Sequence, residues 1–215
     1  EEGSRYTPVM MGSGVFAGVF PLQHALTRTD IDGKSAGDEL ERIGYAGTAP
    51  LATPVGAYFE AHIEQGPILE ETRNTIGIVT GALGQRWFDV TVTGMNAHAG
   101  PTPMPMRKDA LLAASRIVGE VNRIALTEAP HGRGTVGFMQ VAPNSRNVVP
   151  GEAKFSVDFR HPADAGLKAM TEKLREACAQ VEGECSVKVQ VEEVVYFPPC
   201  RFDAECVAAV RAGAQ

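Results

Sequence analysis

The chain has 215 residues, 44% hydrophobic and 21% charged, with a formal net charge of −6. That composition excludes a disordered chain, a collagen and a mini-protein, and it leaves room for one large domain or two small ones. The 20 Lys+Arg against 26 Asp+Glu give no basic footprint for a polyanion, which counts against nucleic acid as a partner; no apolar run approaches the roughly 18 residues of a bilayer span.

Glycine punctuates a first apolar stretch, Gly12 to Phe20. A short helix follows near 35–43, with Ser35 as its cap and Asp38 three residues on, the spacing of a capping box. Over 56–64, Ala57, Phe59, Ala61 and Ile63 alternate with Tyr58, Glu60, His62 and Glu64, which predicts a strand. It stops at Gln65-Gly66-Pro67, where its polar residues emerge, the usual place for a site on an open α/β sheet.

Residues 86–93 place Phe88, Val90 and Val92 on one face and Asp89, Thr91 and Thr93 on the other, a half-buried strand. Helical spacing takes over at 109–126, with Leu111, Ala114, Val118, Val121 and Ala125 as the apolar stripe. Residues 134–142 are β-rich but irregular, while 152–160 alternate strictly, Ala153, Phe155, Val157 and Phe159 inward. A helix near 164–181 carries Leu167, Met170, Leu174, Ala177 and Val181 on its stripe. Val187, Val189 and Val191 begin a last strand, whose alternation slips at Glu192-Glu193 as at a bulge.

Strand, helix, strand, strand, helix, strand is the ferredoxin-like order (βαββαβ), a two-layer α+β sandwich. Residues 1–84 and 199–215 then read as two parts of one α/β domain, interrupted by a ferredoxin-like insert over 85–198. Asp203 to Gln215 reads as a helix that stops in mid-pattern, and the chain opens without Met on Glu1-Glu2. A piece of a longer protein is expected. Cys178, Cys185, Cys200 and Cys206 form no C-x-x-C pair, so a reduced, cytoplasmic chain is expected.

Four clusters could carry chemistry. Adjacent Glu1 and Glu2 suit a hydrolytic metal centre, one binding an ion and the other taking a proton from water; they equally suit a solvated acidic pair. His62, between Glu60 and Glu64, is a metal ligand whose ring the carboxylates orient, or a satisfied histidine at a strand end. His98 lies in a turn of small residues, able to approach a substrate or to be a polar turn. Asn147 and Arg160 together would grip a carboxylate; otherwise they are a turn asparagine and a surface arginine. His24, His131 and His161 have no comparable company.

The strings Glu-Glu-Gly-Ser-Arg-Tyr, His-Ile-Glu-Gln-Gly-Pro, Ala-His-Ala-Gly-Pro-Thr-Pro-Met and Asn-Ser-Arg-Asn-Val-Val-Pro-Gly, in this order, resemble the hydantoinase/carbamoylase amidohydrolases of the aminoacylase-like metallopeptidases. That family includes N-carbamoyl-L-amino-acid hydrolases, β-ureidopropionases and allantoate amidohydrolases. The resemblance implies an α/β catalytic domain with two divalent metal ions, zinc or manganese, and a lid that dimerises. It implies Glu1 as general base, Glu2 and His62 as metal ligands and Gln65 on the ureido group. His98 would stabilise the oxyanion, and Asn147 and Arg160 would hold the carboxylate of a small carbamoyl or ureido substrate. The family's amino-terminal His-x-Asp ligand pair and carboxy-terminal histidine are not in this stretch, which by itself is expected to bind the ion pair weakly and to be inactive. An isolated lid module that only self-associates, or a dipeptidase or aminoacylase relative, are the competing readings.

Overall fold

The computed structural model describes residues 3–51 and 53–214. By internal contacts the chain divides into Glu1–Ile68 and Leu69–Gln215, and each unit has its own logic.

The first unit is loosely built. It holds α1 (Met11–Phe16), α2 (Leu22–Leu26) and α3 (Ala36–Arg42), and α4 (Ile68–Glu71) begins at its end. The Ser35 hydroxyl accepts the Asp38 N–H at 3.0 Å, so the capping residue read from the sequence does start α3. A small cluster of Tyr6, Met11 and Ala36 is buried. Arg5 clamps it from outside, reaching Asp30 at 2.7 Å and Glu39 at 3.0 Å. The strand expected over 56–64 does not form: the segment has no regular structure, and its intended apolar face is exposed, Phe59 at 56% and Ile63 at 74%. An alternating sequence becomes a strand only beside a neighbour that takes its N–H and C=O groups, and no described strand lies beside this one.

The second unit is a two-layer sandwich. Its strands are β1 (Gly81–Ala82), β2 (Gly84–Thr93), β3 (Ala97–His98), β4 (Arg133–Thr135), β5 (Met139–Ala142), β6 (Val148–Val149), β7 (Glu152–His161), β8 (Lys188–Phe197) and β9 (Cys200–Arg201); its helices are α5 (Ala110–Thr127), α6 (Asp164–Cys185) and α7 (Ala204–Gly213). The main sheet runs β4-β7-β2-β8, with β5 also on β7, and every pairing is antiparallel. Helices α5 and α6 pack on one face. Phe88, Val90 and Val92 from β2 meet Ala153, Phe155, Val157 and Phe159 from β7 in the core between the layers. The rings of Phe88 and Phe159 pack edge to face at 6.2 Å.

The stripe read for α6 is buried as expected, and that of α5 holds in part: Ala114, Val121 and Ala125 are buried and Val118 packs against the core, but the buried face is wider and shifted away from Leu111. Ala110, Ala113, Ala114, Ile117, Val121, Ile124 and Ala125 are buried, while Leu111 is 38% exposed. Two overlapping i, i+3, i+4 sets exist on this helix. The one containing both isoleucines and the alanines wins, because alanines let the helix lie close to the sheet. Asp109 caps α5 through the N–H groups of Leu111 and Leu112.

The bulge in β8 falls one residue later than expected. Phe88 faces Glu193 while Trp87 faces Val195, so Val194 is the extra residue. Burial pushes the Cys178 thiol up to about 11, with Glu182 adding to the effect, and Cys178, Cys185, Cys200 and Cys206 are all free. Buried in the α6 stripe, Cys178 acts as a small hydrophobe.

On the face away from the helices, Asp89 lies directly opposite Glu192. Partial desolvation, and secondarily Glu192, raise the Asp89 carboxyl above its ordinary value. A raised carboxyl disfavours folding once it is ionised, so the penalty appears as pH rises through its folded value. Asp89→Asn should therefore stabilise the protein at pH 7 by up to about 1 kcal/mol, the range for like charges across strands. Urea unfolding should show that gain shrinking as pH falls towards about 4.

Candidate active site

The two-stranded ribbon that carries His98 prolongs the β2–β7 ladder. Thr93 pairs with Glu152 at the end of the main sheet, the Gly94 N–H reaches the Gly151 carbonyl at 2.8 Å, and β3 then pairs with β6, His98 opposite Val148. Gly94 is forced here, because a Cβ at that position would overlap the Lys108 carbonyl. The Ala99 N–H donates to the Asn147 carbonyl at 2.8 Å, so His98 and Asn147 come together on one short exposed ribbon.

Both side chains are oriented. The Gly100 N–H donates to His98 Nδ1 at 3.0 Å, which makes Nδ1 the acceptor and leaves the ring proton on Nε2. The imidazole thus presents a neutral N–H donor. The Ser145 hydroxyl donates to Asn147 Oδ1 at 3.0 Å, and the amide N–H groups of Asn147 remain as donors. Asn144 turns the chain into this ribbon with φ 56°, a left-handed conformation asparagine tolerates.

Arg107 is a site residue that the sequence reading missed. Its guanidinium donates to the carbonyls of Ala99 at 2.7 Å and Thr102 at 3.1 Å, tying down the loop beyond His98. The one available signal was an arginine in a Met-rich turn just before the Asp109 cap.

Arg160 is not with His98 and Asn147. It sits at the far end of β7, eight residues beyond Glu152, or about 27 Å along an antiparallel strand, on the face away from the helices. Asp158 takes its Nε at 3.1 Å and one Nη at 2.8 Å. A carboxylate on that edge leaves the paired Nη groups at the tip of the fork, the edge that grips a second carboxylate bidentately.

In the first unit, Glu1 and Glu2 lie outside the described residues. His62 is exposed, and its Nδ1 lies 2.6 Å from the Ile63 carbonyl. A carbonyl only accepts, so Nδ1 carries the proton and Nε2 offers its lone pair, the form in which histidine binds a metal. The flanking carboxylates also hold the chain around the ring. Glu60 accepts from the Tyr58 hydroxyl at 2.6 Å, and Glu64 accepts the Ile68 N–H at 2.9 Å at the start of α4. Gln65 follows at φ 56°, a left-handed glutamine of the kind that strained functional segments hold. Among the described residues no three His, Cys, Asp or Glu side chains converge as a metal site.

Residues 80–184 match the family model described as a peptidase dimerisation domain. Over 216 residues the chain is 45% identical to the N-carbamoyl-L-amino-acid amidohydrolase of Rhizobium meliloti, covering 100% of itself and 52% of that protein. Identity to the allantoate amidohydrolase of Escherichia coli (strain K12) is 34%, covering 98% of the chain and 52% of that protein. The crystal structure of a hydantoinase/carbamoylase family amidase from Burkholderia vietnamiensis superposes with a TM-score of 0.94 at 59% identity, over 100% of this chain and 52% of that one. The second unit is thus built on a peptidase-type dimerisation domain. The chain belongs to the hydantoinase/carbamoylase family of amidohydrolases, and it spans about half the length of the relatives it matches.

Arg107→Ala should loosen the His98 loop without touching the core. Each lost charge-assisted bond is worth about 1.5–3 kcal/mol, so amide exchange at Ala99 and Thr102 should accelerate at least about tenfold. Exchange at Phe88 and Phe159 should stay unchanged; a uniform acceleration would show that Arg107 serves the whole unit instead.

Proposed function

We propose that the whole protein hydrolyses the C–N bond of an N-carbamoyl amino acid or a related ureido compound such as allantoate. The observation that carries this reading is the oriented pair of donors on the β3–β6 ribbon: the Nε2–H of His98 and the amide of Asn147. In the reaction water adds to the ureido carbonyl, the C–N bond to the amino acid breaks, and the amine leaves protonated with carbamate as the other product. The Nε2–H of His98 donates to the oxyanion that forms at the carbonyl. One such donor is worth about 3–4 kcal/mol in comparable sites.

Residues 85–198 serve as a ferredoxin-like lid inserted between 1–84 and 199–215 of an α/β catalytic domain. Support comes from the sheet order and from β1 and β9, which pair Gly81 with Arg201 and so hold the incoming and outgoing chain side by side, as an insert requires. The exposed apolar faces of the first unit, Ile31 at 88% and Ile63 among them, support a further layer of the parent domain against them. Glu1 as general base, Glu2 and His62 as ligands of two divalent cations, zinc or manganese, and Gln65 on the ureido group complete the reading. The cations rest on the family resemblance and on the lone pair of His62 Nε2, since the described residues alone do not form their site. A cytoplasmic location agrees with the free cysteines.

The separation of Arg160 from His98 along β7 favours a homodimer that shares its sites. In a two-fold pair the opposite ends of two sheets can meet. His98 and Asn147 of one copy then serve a substrate whose carboxylate lies on Arg160 of the other.

His98→Ala in the full-length protein should lower kcat by about 100- to 1000-fold with KM little changed, followed by ammonia release from the carbamate. A loss confined to KM would remove the oxyanion role. Mixing inactive His98→Ala and Arg160→Ala copies under subunit exchange should restore about a quarter of wild-type activity, since about half the pairs are mixed and each has one complete site. Persistent inactivity of a verified mixed dimer would put all three residues in one copy's site.

A further inference from the structure

The sheet face away from α5 and α6 is polar over most of its area, with Lys154, Ser156 and Asp158 on β7, Thr91 on β2 and Gln190 and Glu192 on β8. It changes character at the Arg160 end, and the β8 bulge is the cause. Unbroken alternation would turn Val195 and Phe197 towards the helices with Val189 and Val191. The extra residue inverts the order. Tyr196 joins the helix side, where it lies under the Arg86 guanidinium at 4.4 Å and donates to Asp164 at 2.7 Å. Val195 and Phe197 turn to the other face, opposite Trp87 and Gln85.

Two rows cross the three strands at this end: Arg160, Gln85, Phe197 and Asp158, Trp87, Val195. Neighbouring strands lie about 4.8 Å apart, so Trp87 and Phe197 stand one and two strands away from Arg160 on the same face. Val195 is 4% exposed, whereas Trp87 and Phe197 keep part of their surface accessible. The helix-side core does not account for Trp87 and Phe197, since it lies on the opposite face.

The geometry points to a side-chain subsite walled by Trp87 and Phe197, which gives this protein a preference for N-carbamoyl amino acids with large apolar or aromatic side chains over N-carbamoylglycine and allantoate. The inference rests on the reading that Arg160 holds the substrate carboxylate. With the α-carboxylate on Arg160, a large Cα substituent can reach across β2 to Trp87 and Phe197, where apolar area leaves water. Allantoate, with a second ureido group in place of a side chain, would set amide N–H groups against that wall without partners.

The test compares kcat/KM of the full-length protein for N-carbamoyl-L-phenylalanine, N-carbamoylglycine and allantoate. The wild type should favour the phenylalanine derivative over the glycine derivative by about 10- to 200-fold. Trp87→Ala should lower the phenylalanine value at least about tenfold and leave the glycine value within about threefold, while Trp87→Phe retains most of the preference. Phe197→Ala makes the same comparison should Trp87→Ala fail to fold. If the wild type prefers glycine or allantoate, or both variants weaken every substrate equally, the subsite is wrong although the ureidase reading stands. Loss of the dimer on Trp87→Ala with unchanged selectivity would assign the wall to subunit contact and overturn the proposal. No turnover of any ureido compound by the wild type would remove the reading beneath it as well.

Discussion

The unbroken antiparallel ladder between β2 and β7 governs the second unit. Ten consecutive residue pairs, from Gly84 with His161 to Thr93 with Glu152, leave no freedom of register, because a slip by one residue would expose Phe88, Phe155 and Phe159 together. Those side chains fill the layer beneath α5 and α6. Within this unit, the residues proposed for chemistry hang on this ladder at positions the core does not use. His98 and Asn147 prolong one end, while Arg160, Trp87 and Gln85 occupy the outer face at the other.

Local devices then convert placement into orientation. Glycine at 100 lets a backbone N–H reach the His98 ring and select its tautomer, while Ser145 selects the amide orientation of Asn147. Asp158 covers one edge of the Arg160 fork and leaves its tip. Each arrangement holds a donor ready before any substrate arrives, which is where electrostatic catalysis and anion recognition draw their advantage over water. The bulge in β8 belongs with these devices: one extra residue re-aims Val195, Tyr196 and Phe197 at once.

Much of this was legible in the amino-acid order. Strict period-two alternation identified β2 and β7 with their inward residues, because a half-buried strand admits no other pattern. Ser35 announced the start of α3, and the α6 stripe was correct to the residue. The α5 stripe was correct at Ala114, Val118, Val121 and Ala125 but not at Leu111, since the helix offers two overlapping faces and the choice depends on how closely the sheet approaches. Residues 56–64 have the alternation of a strand and none of its structure, as pairing belongs to the neighbour and not to the segment. Arg107 was invisible because carbonyl acceptors leave no mark on the sequence.

By itself, then, the sequence determined the order of elements, the inward residues of the two central strands and the motifs that carry the family resemblance, because these follow from local periodicity and short-range chemistry. Only the tertiary structure decided that His98 and Asn147 share a ribbon while Arg160 lies at the far end of β7, and that Trp87 and Phe197 face outward beside it. Those are consequences of register and of one inserted residue, which depend on how distant strands align and so cannot be read from any single stretch of chain.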